Sequence, residues 1–170
     1  MRSPLEKIIS GGQTGADIAA VDAAIACGFP YGGELPKGRR REGGRVPTGY
    51  LEFTVSVAYD YRVRTKTNVL RADGTLVFSK GKPTTGTAET VSLAKKNGKP
   101  CMVINTLDST GMIPTSVLIH NFVKEHNIKV LNVAGPRESK TPGIYDVVFK
   151  TITQLLEQVL FSCKVYDKSV

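Results

Sequence analysis

With 170 residues, 41% hydrophobic and 22% charged, the chain has the composition of one globular domain and falls outside the disordered, collagenous and disulfide-scaffold classes. Its 23 Lys+Arg against 15 Asp+Glu leave a net charge of +8, which suits an anionic partner but names none. Cys27, Cys101 and Cys163 stand apart without CxxC or Cys/His pairing, which argues against a disulfide framework or a protein metal site.

No leader pattern opens the chain and no apolar run nears the roughly 18 residues of a membrane span, so a soluble cytoplasmic protein with reduced thiols is expected. Cys27 and Cys101 are expected to be buried as small hydrophobes.

Lys7-Ile8-Ile9 has strand character and runs into Ser10-Gly11-Gly12-Gln13-Thr14-Gly15-Ala16-Asp17, a glycine-rich turn that opens a helix. Glycine at 11, 12 and 15 permits φ > 0 and close approach of a ligand, and the N–H groups at a helix start favour an anion. The helix is expected from Gly15 to Cys27, with Thr14 as N-cap and Asp17 either in the capping-box position or at a ligand. Gly28 stops it, and Ile18, Val21 and Ile25 face inward.

Phe29 to Leu35 reads as a second strand. Residues 36–49, rich in Gly, Pro and base, read as a long loop of the kind that is functional or mobile. Tyr59 to Arg71 reads as a helix carrying Arg64, Thr65 and Asn68. Gly74 to Ser79 is a buried strand leading through Lys80-Gly81-Lys82-Pro83-Thr84-Thr85-Gly86-Thr87 into a helix that Gly98 stops near Asn97. Cys101 to Leu107 reads as a strand covered on both faces. Pro114 opens a helix towards Glu125, Lys129 to Ala134 is a strand, and Thr141-Pro142 starts the last helix. Ile144, Val147, Val148, Ile152, Leu155, Leu156 and Val159 form its inward stripe.

Strands alternating with helices predict an α/β fold, a single doubly wound domain with a mostly parallel sheet of about five strands. The turns after the strands then share the carboxyl edge of the sheet, where such folds bind ligands. Gly11 to Gly15, the basic loop, Ser79 to Thr87 and Gly135 to Ser139 should converge there. The expected ligand is a phosphate held between two helix N-termini, with hydroxyls of Thr14, Thr85 and Thr87 donating and Lys37, Arg39, Arg64 or Arg137 neutralising charge. Gly12→Val is then expected to remove binding and spare the fold. GxxxxGK[ST] and GxGxxG are both absent, so ATP and NAD chemistry are not supported. His120 and His126, six apart, do not share a helix face and read as surface histidines. Glu89, in the first turn of its helix, would face a ligand bound at that N-terminus.

Five blocks together carry a resemblance. Ser10 to Asp17, Pro36-Lys37-Gly38-Arg39-Arg40, Arg64-Thr65 with Asn68, Asp73-Gly74-Thr75-Leu76 and Gly86-Thr87 resemble, in order over residues 7 to 150, the molybdenum carrier family. These are small Rossmann-like proteins related to molybdenum-cofactor carrier proteins. The resemblance implies a homo-oligomeric (dimeric or tetrameric) carrier of molybdenum cofactor, a phosphorylated pterin, with no reaction of its own. It implies that Gly11, Gly12, Gln13, Thr14, Gly15, Lys37, Arg39, Arg64, Thr65, Asn68, Gly86 and Thr87 line the site. The convergence of turns adds Ser79, Thr85, Gly135 and Arg137.

Pro83-Thr84-Thr85-Gly86-Thr87-Ala88-Glu89 is also similar to the Pro-Gly-Gly-x-Gly-Thr-x-x-Glu signature of Lonely Guy-type nucleotide phosphoribohydrolases, departing from it at Thr84 and Thr85 and in its shorter spacing. That likeness implies an alternative: hydrolysis of a nucleoside monophosphate by Arg64 and Glu89. A third reading, nucleic-acid binding through the basic loop, lacks interleaved aromatics and ranks below both.

Overall fold

The computed structural model describes residues 3–107 and 113–167, without the side chains of 163–167, so the Cys163 thiol lies outside the described residues. The strands are β1 (Lys7–Ile9), β2 (Tyr31–Leu35), β3 (Arg40–Arg41), β4 (Gly44–Arg45), β5 (Phe53–Val55), β6 (Gly74–Ser79), β7 (Cys101–Asn105) and β8 (Val130–Ala134). The helices are α1 (Ala16–Ala26), α2 (Tyr61–Arg71), α3 (Thr85–Lys96), α4 (Thr115–Glu125) and α5 (Ile144–Asp167). Six strands form one all-parallel sheet in the order β5-β2-β1-β8-β6-β7, while β3 and β4 make a separate antiparallel hairpin. The expectation of about five strands missed β5, a three-residue edge strand that pairs with β2.

The strand order has a consequence for the ligand edge. From β1 the chain winds outward through β2 to β5; from β6 it winds the other way to β7, then returns to lay β8 between β1 and β6. Counting from β8 and joining the chain ends, the sheet reads 4-3-2-1-5-6, a doubly wound order whose reversal falls between β8 and β6. The two terminal segments lie side by side, with the Ser3 N–H 3.5 Å from Ser162 Oγ.

Both faces of the sheet are covered. Ile8, Leu76, Phe78, Leu131 and Val133 pack with α1, α4 and α5, and each fully buried Leu or Phe contributes about 2–3 kcal/mol. Ala19, Ala20, Ala23 and Ala24 are fully buried and bring α1 close to the sheet and α5. Ile25, expected inside, is 46% exposed, because Ile18 and Val21 turn instead to a second cluster with Leu35, Val46 and Phe53. On α5 the stripe is buried except for Val147, 44% exposed. β7 is touched by both α3 and α4 but, as an edge strand, is only half-buried, and Val103 is 40% exposed. Cys27 and Cys101 are half-buried, and burial raises both thiols.

The helix starts differ from expectation in a shared way. Gly15 (φ 77°), not Thr14, precedes α1, and Thr14 Oγ1 donates to Glu42 instead. α5 begins at Ile144, where the Glu138 carboxylate accepts from the N–H groups of Gly143 and Tyr145, the capping expected of Thr141. The 36–49 segment is built: Lys37–Arg39 form a 3-10 turn and β3–β4 a hairpin. Its far end is tied down at Asp22 of α1, which accepts from the hydroxyls of Tyr50 (2.8 Å) and of Tyr145 on α5 (2.7 Å). Among the described residues, no helix is long and apolar enough to cross a membrane.

Gly12 belongs to this second cluster. Its φ is +67°, and an added Cβ would lie 2.4 Å from Leu35 Cδ2. Gly12→Val therefore strains the backbone and overpacks the cluster; it is expected to cost about 3 kcal/mol and lower Tm by about 10 °C, read by thermal melting. Burial, and then the hydrogen bond to Asp22, push the Tyr50 phenol from 10.0 up to about 12. The native state then holds a proton that the unfolded chain releases, so Tyr50 supports the fold fully below pH 10 and loses that support as pH rises through about 12. Urea titrations should show the stability gap between the wild type and Tyr50→Phe closing across that window.

Candidate functional site

The reversal of strand order opens a cavity of about 680 Å³ at the carboxyl edge. Gln13 comes from the β1–α1 turn and Asp17 from the first turn of α1, Lys80, Thr84 to Thr87, Glu89 and Thr90 from the turn after β6 and the start of α3, and Gly135 to Arg137, Lys140 and Thr141 from the segment after β8. The start of α2 adds Tyr61, Arg62, Arg64 and Thr65. The α3 N-terminus faces the cavity with no side-chain cap, and Thr85 there takes φ 46°.

Charge is unbalanced in this cavity. Arg62, Arg64, Lys80, Arg137 and Lys140 face only Asp17 and Glu89. Arg62 lies 3.7 Å from Glu89 at the exposed rim. Deeper in, Arg64 Nη1 lies 3.3 Å from Asp17 Oδ2, with side chains 12% and 4% exposed. Burial pushes the Asp17 carboxyl above its usual range, and the Arg64 charge and the Gln13 N–H partly offset this. Arg64 Nε is buried and has no hydrogen-bond partner, and the guanidinium stands 5.9 Å from the Tyr61 ring centre.

Of the residues expected at the site, Gln13, Arg64, Thr65, Thr85, Gly86, Thr87, Gly135 and Arg137 line the cavity, as does Glu89. The others serve the frame. Gly11 lies directly beneath Arg64, and Gly15 admits the 136–138 turn, an added Cβ there meeting Pro136 O at 2.5 Å. Arg39 donates to the carbonyls of Val46, Pro47 and Tyr50 and so braces its own loop. Lys37 Nζ rests 4.9 Å from the Tyr59 ring centre, outside the cavity lining. Asn68 clamps α2 to β2, accepting from the Glu34 N–H at 2.8 Å and donating to the Glu34 carbonyl at 3.1 Å. Ser79 donates to the Gly81 carbonyl and shapes the turn after β6.

The picture of a phosphate between two helix N-termini needs correction at α1. Three N–H groups there are spent within the protein: Gln13 on Asp17 Oδ2, Thr14 on Gln13 Oε1 and Ala16 on the Pro136 carbonyl. The α3 start lines the cavity from Thr84 to Thr87 with no side-chain cap.

Sequence reasoning missed Tyr61, Arg62 and Lys140 as lining residues, and expected the Ser79 to Thr87 segment at the edge without singling out its Lys80. Lys80 and Lys140 lie on turns after β6 and β8, so the rule that located the edge could have found them. Arg62 lies in the helix expected from Tyr59 to Arg71, where nothing in the pattern marks which of its basic side chains meets the edge. Glu42 was also missed as a connector. At the tip of the β3–β4 hairpin its carboxylate accepts from Ser139 Oγ and Thr14 Oγ1 and lies 3.8 Å from Arg137 Nη1, and its N–H donates to Gln13 Oε1. Those hydroxyl bonds hold its carboxyl below the usual range.

His120 and His126 are not among the residues lining the cavity; burial and Lys124 lower the His120 pKa, and His126 packs on Phe122 with ring centres 4.9 Å apart. Among the described residues, no cluster of His, Cys, Asp and Glu is placed to hold a metal ion.

None of the curated proteins matches the chain. A crystal structure of "Putative molybdenum carrier protein" from Syntrophus aciditrophicus SB, at 46% sequence identity, covers 94% of this chain and 98% of its own, with a TM-score of 0.83. The model of the circularly permutated YpsA SLOG family matches residues 8–156, a span that contains every residue lining the cavity. Its permutation agrees with a sheet whose order becomes doubly wound when counted from β8. The chain belongs to the circularly permutated YpsA SLOG family.

Proposed function

We propose that the protein carries molybdenum cofactor, binding the phosphate of the pterin at the α3 N-terminus beside Arg64, Lys80, Arg137 and Lys140. The observation that carries the reading is the charge of the cavity: both of its carboxylates already have arginine partners, Arg137 is shared with Glu42 outside it, and the lining Lys80 and Lys140 have no ion pair among the described residues. A dianionic phosphate meets unspent positive charge there, with helix N–H groups to receive its oxygens. The similarity to a protein named as a molybdenum carrier supports the choice of cargo. The resemblance that suggests this cargo also implies a homo-oligomer, and the scattered cysteines without a disulfide framework favour the cytoplasm.

Calorimetric titration of the purified protein with molybdenum cofactor should give saturable binding that weakens as salt rises. Arg137→Ala with Lys140→Ala should reduce the affinity about tenfold or more. Absence of binding by the wild type would end this reading.

A second reading is kept because Arg64 and Glu89 line the same cavity. There the protein would use water to split a nucleoside monophosphate into free base and ribose 5-phosphate, Glu89 serving as the acid–base group and Arg64 holding the phosphate. Incubation with a panel of nucleotides should then release free base, and Glu89→Gln should abolish the release; silence across the panel excludes it.

A further inference from the structure

We propose that Gly11 and Asp17 are positioning residues that hold the Arg64 guanidinium in one place, as the receptor for the ligand's tetrahedral oxyanion. The inference rests on the reading of the cavity as an anion site, and adds which donor receives the anion and what fixes it.

Gly11 has no backbone reason to be glycine, since it is absent from the residues with positive φ. Its reason is space. A Cβ there would lie 1.6 Å from Arg64 Nη1, 2.2 Å from Cζ and 2.9 Å from Nε, and these are its three nearest neighbours. The guanidinium therefore rests against the bare main chain of the β1–α1 turn. Asp17 holds it from the side at 3.3 Å, and Asp17 is itself fixed, its carboxylate accepting from the Gln13 N–H and its carbonyl from Ser10 Oγ. The Tyr61 ring stands near it as well, 5.9 Å away. An arginine side chain ordinarily loses much rotamer freedom when it grips a ligand, and a guanidinium already confined has less to lose.

The held group keeps donors to spare. Its contact with Asp17 runs through Nη1 alone, not through a two-point fork, and Nε is buried without a partner. A buried donor left unspent is costly, so its presence beside a cation-lined cavity marks a place that a ligand fills. The fork of a guanidinium matches the oxygens of a phosphate group. Asp17 sharpens the inference, because a buried carboxylate beside an anion site repels the anion. Charge alone would make its loss favourable; positioning makes its loss harmful.

These two expectations differ in sign, which makes the test decisive. Inorganic pyrophosphate is titrated calorimetrically at low salt into the wild type, Gly11→Ala, Asp17→Asn, Arg64→Ala and the Gly11→Ala/Arg64→Ala double variant. The 15Nε resonance of Arg64 is followed in the same titration of the wild type. Gly11→Ala should weaken binding about tenfold or more in a protein that still melts cooperatively, because it displaces the guanidinium end of Arg64 and leaves the rest of the turn in place. In the Arg64→Ala background the same substitution should change affinity by less than about twofold. Asp17→Asn should also weaken binding, and the Nε resonance should shift as pyrophosphate saturates.

Equal weakening by Gly11→Ala in both backgrounds, wild-type affinity in Gly11→Ala, tighter binding by Asp17→Asn, or an unmoved Nε resonance would each overturn the positioning role while leaving the anion site in place. A wild type that does not bind pyrophosphate overturns the anion reading and this inference together.

Discussion

The turn after β1 and the turn after β8 meet at Gly15, and the carboxyl edge depends on how closely they do so. A Cβ at Gly15 would fall 2.5 Å from the Pro136 carbonyl oxygen and 2.6 Å from the Glu138 nitrogen. Only a residue without a side chain lets two parallel neighbours bring their loops into such contact, and the Ala16 N–H then bonds the Pro136 carbonyl at 3.2 Å. This contact lets one cavity take residues from turns about 120 positions apart in the chain. Glu42 reinforces it from outside, spanning Thr14 on one turn and Ser139 on the other.

The charges at this edge are sorted by depth. Arg62 and Glu89 pair at the exposed rim, where an ion pair adds about 0–1 kcal/mol and exchanges readily. Arg64 and Asp17 pair in near-complete burial, where neither partner can be removed cheaply. The rim pair is therefore the more readily rearranged of the two, while the floor stays fixed.

Much of this could be read from residues, and the failures have physical reasons. The long elements announced themselves: the buried run of β6, the inward stripe of α5 and the stop at Gly98 all lie where the pattern put them. β5 did not, since three residues with one inward side chain carry too little periodicity to separate from loop. The site was legible as a place more than as a list. The rule that turns after strands share an edge located the cavity, yet it could not tell Arg64, which points in, from Arg39, which bonds three carbonyls of its own loop. Both are arginines in polar surroundings, and what separates them is the tertiary path of the main chain. Gly12 misled for the same reason: a glycine in a phosphate-type turn turned out to face Leu35 and Phe53.

The place of β8 in the sheet bears on how the molecule comes to exist on the ribosome. β1 pairs only with β2 and β8, and β6 only with β7 and β8, so the two halves of the sheet share no ladder until β8 is laid between them. That strand is Val130–Ala134, the last of the eight to be synthesised. Until it emerges, the inner edges of β1 and β6 carry unpaired backbone groups, a state that invites pairing with other chains. The central strand is thus the last piece of the sheet to emerge and the one that joins its two halves.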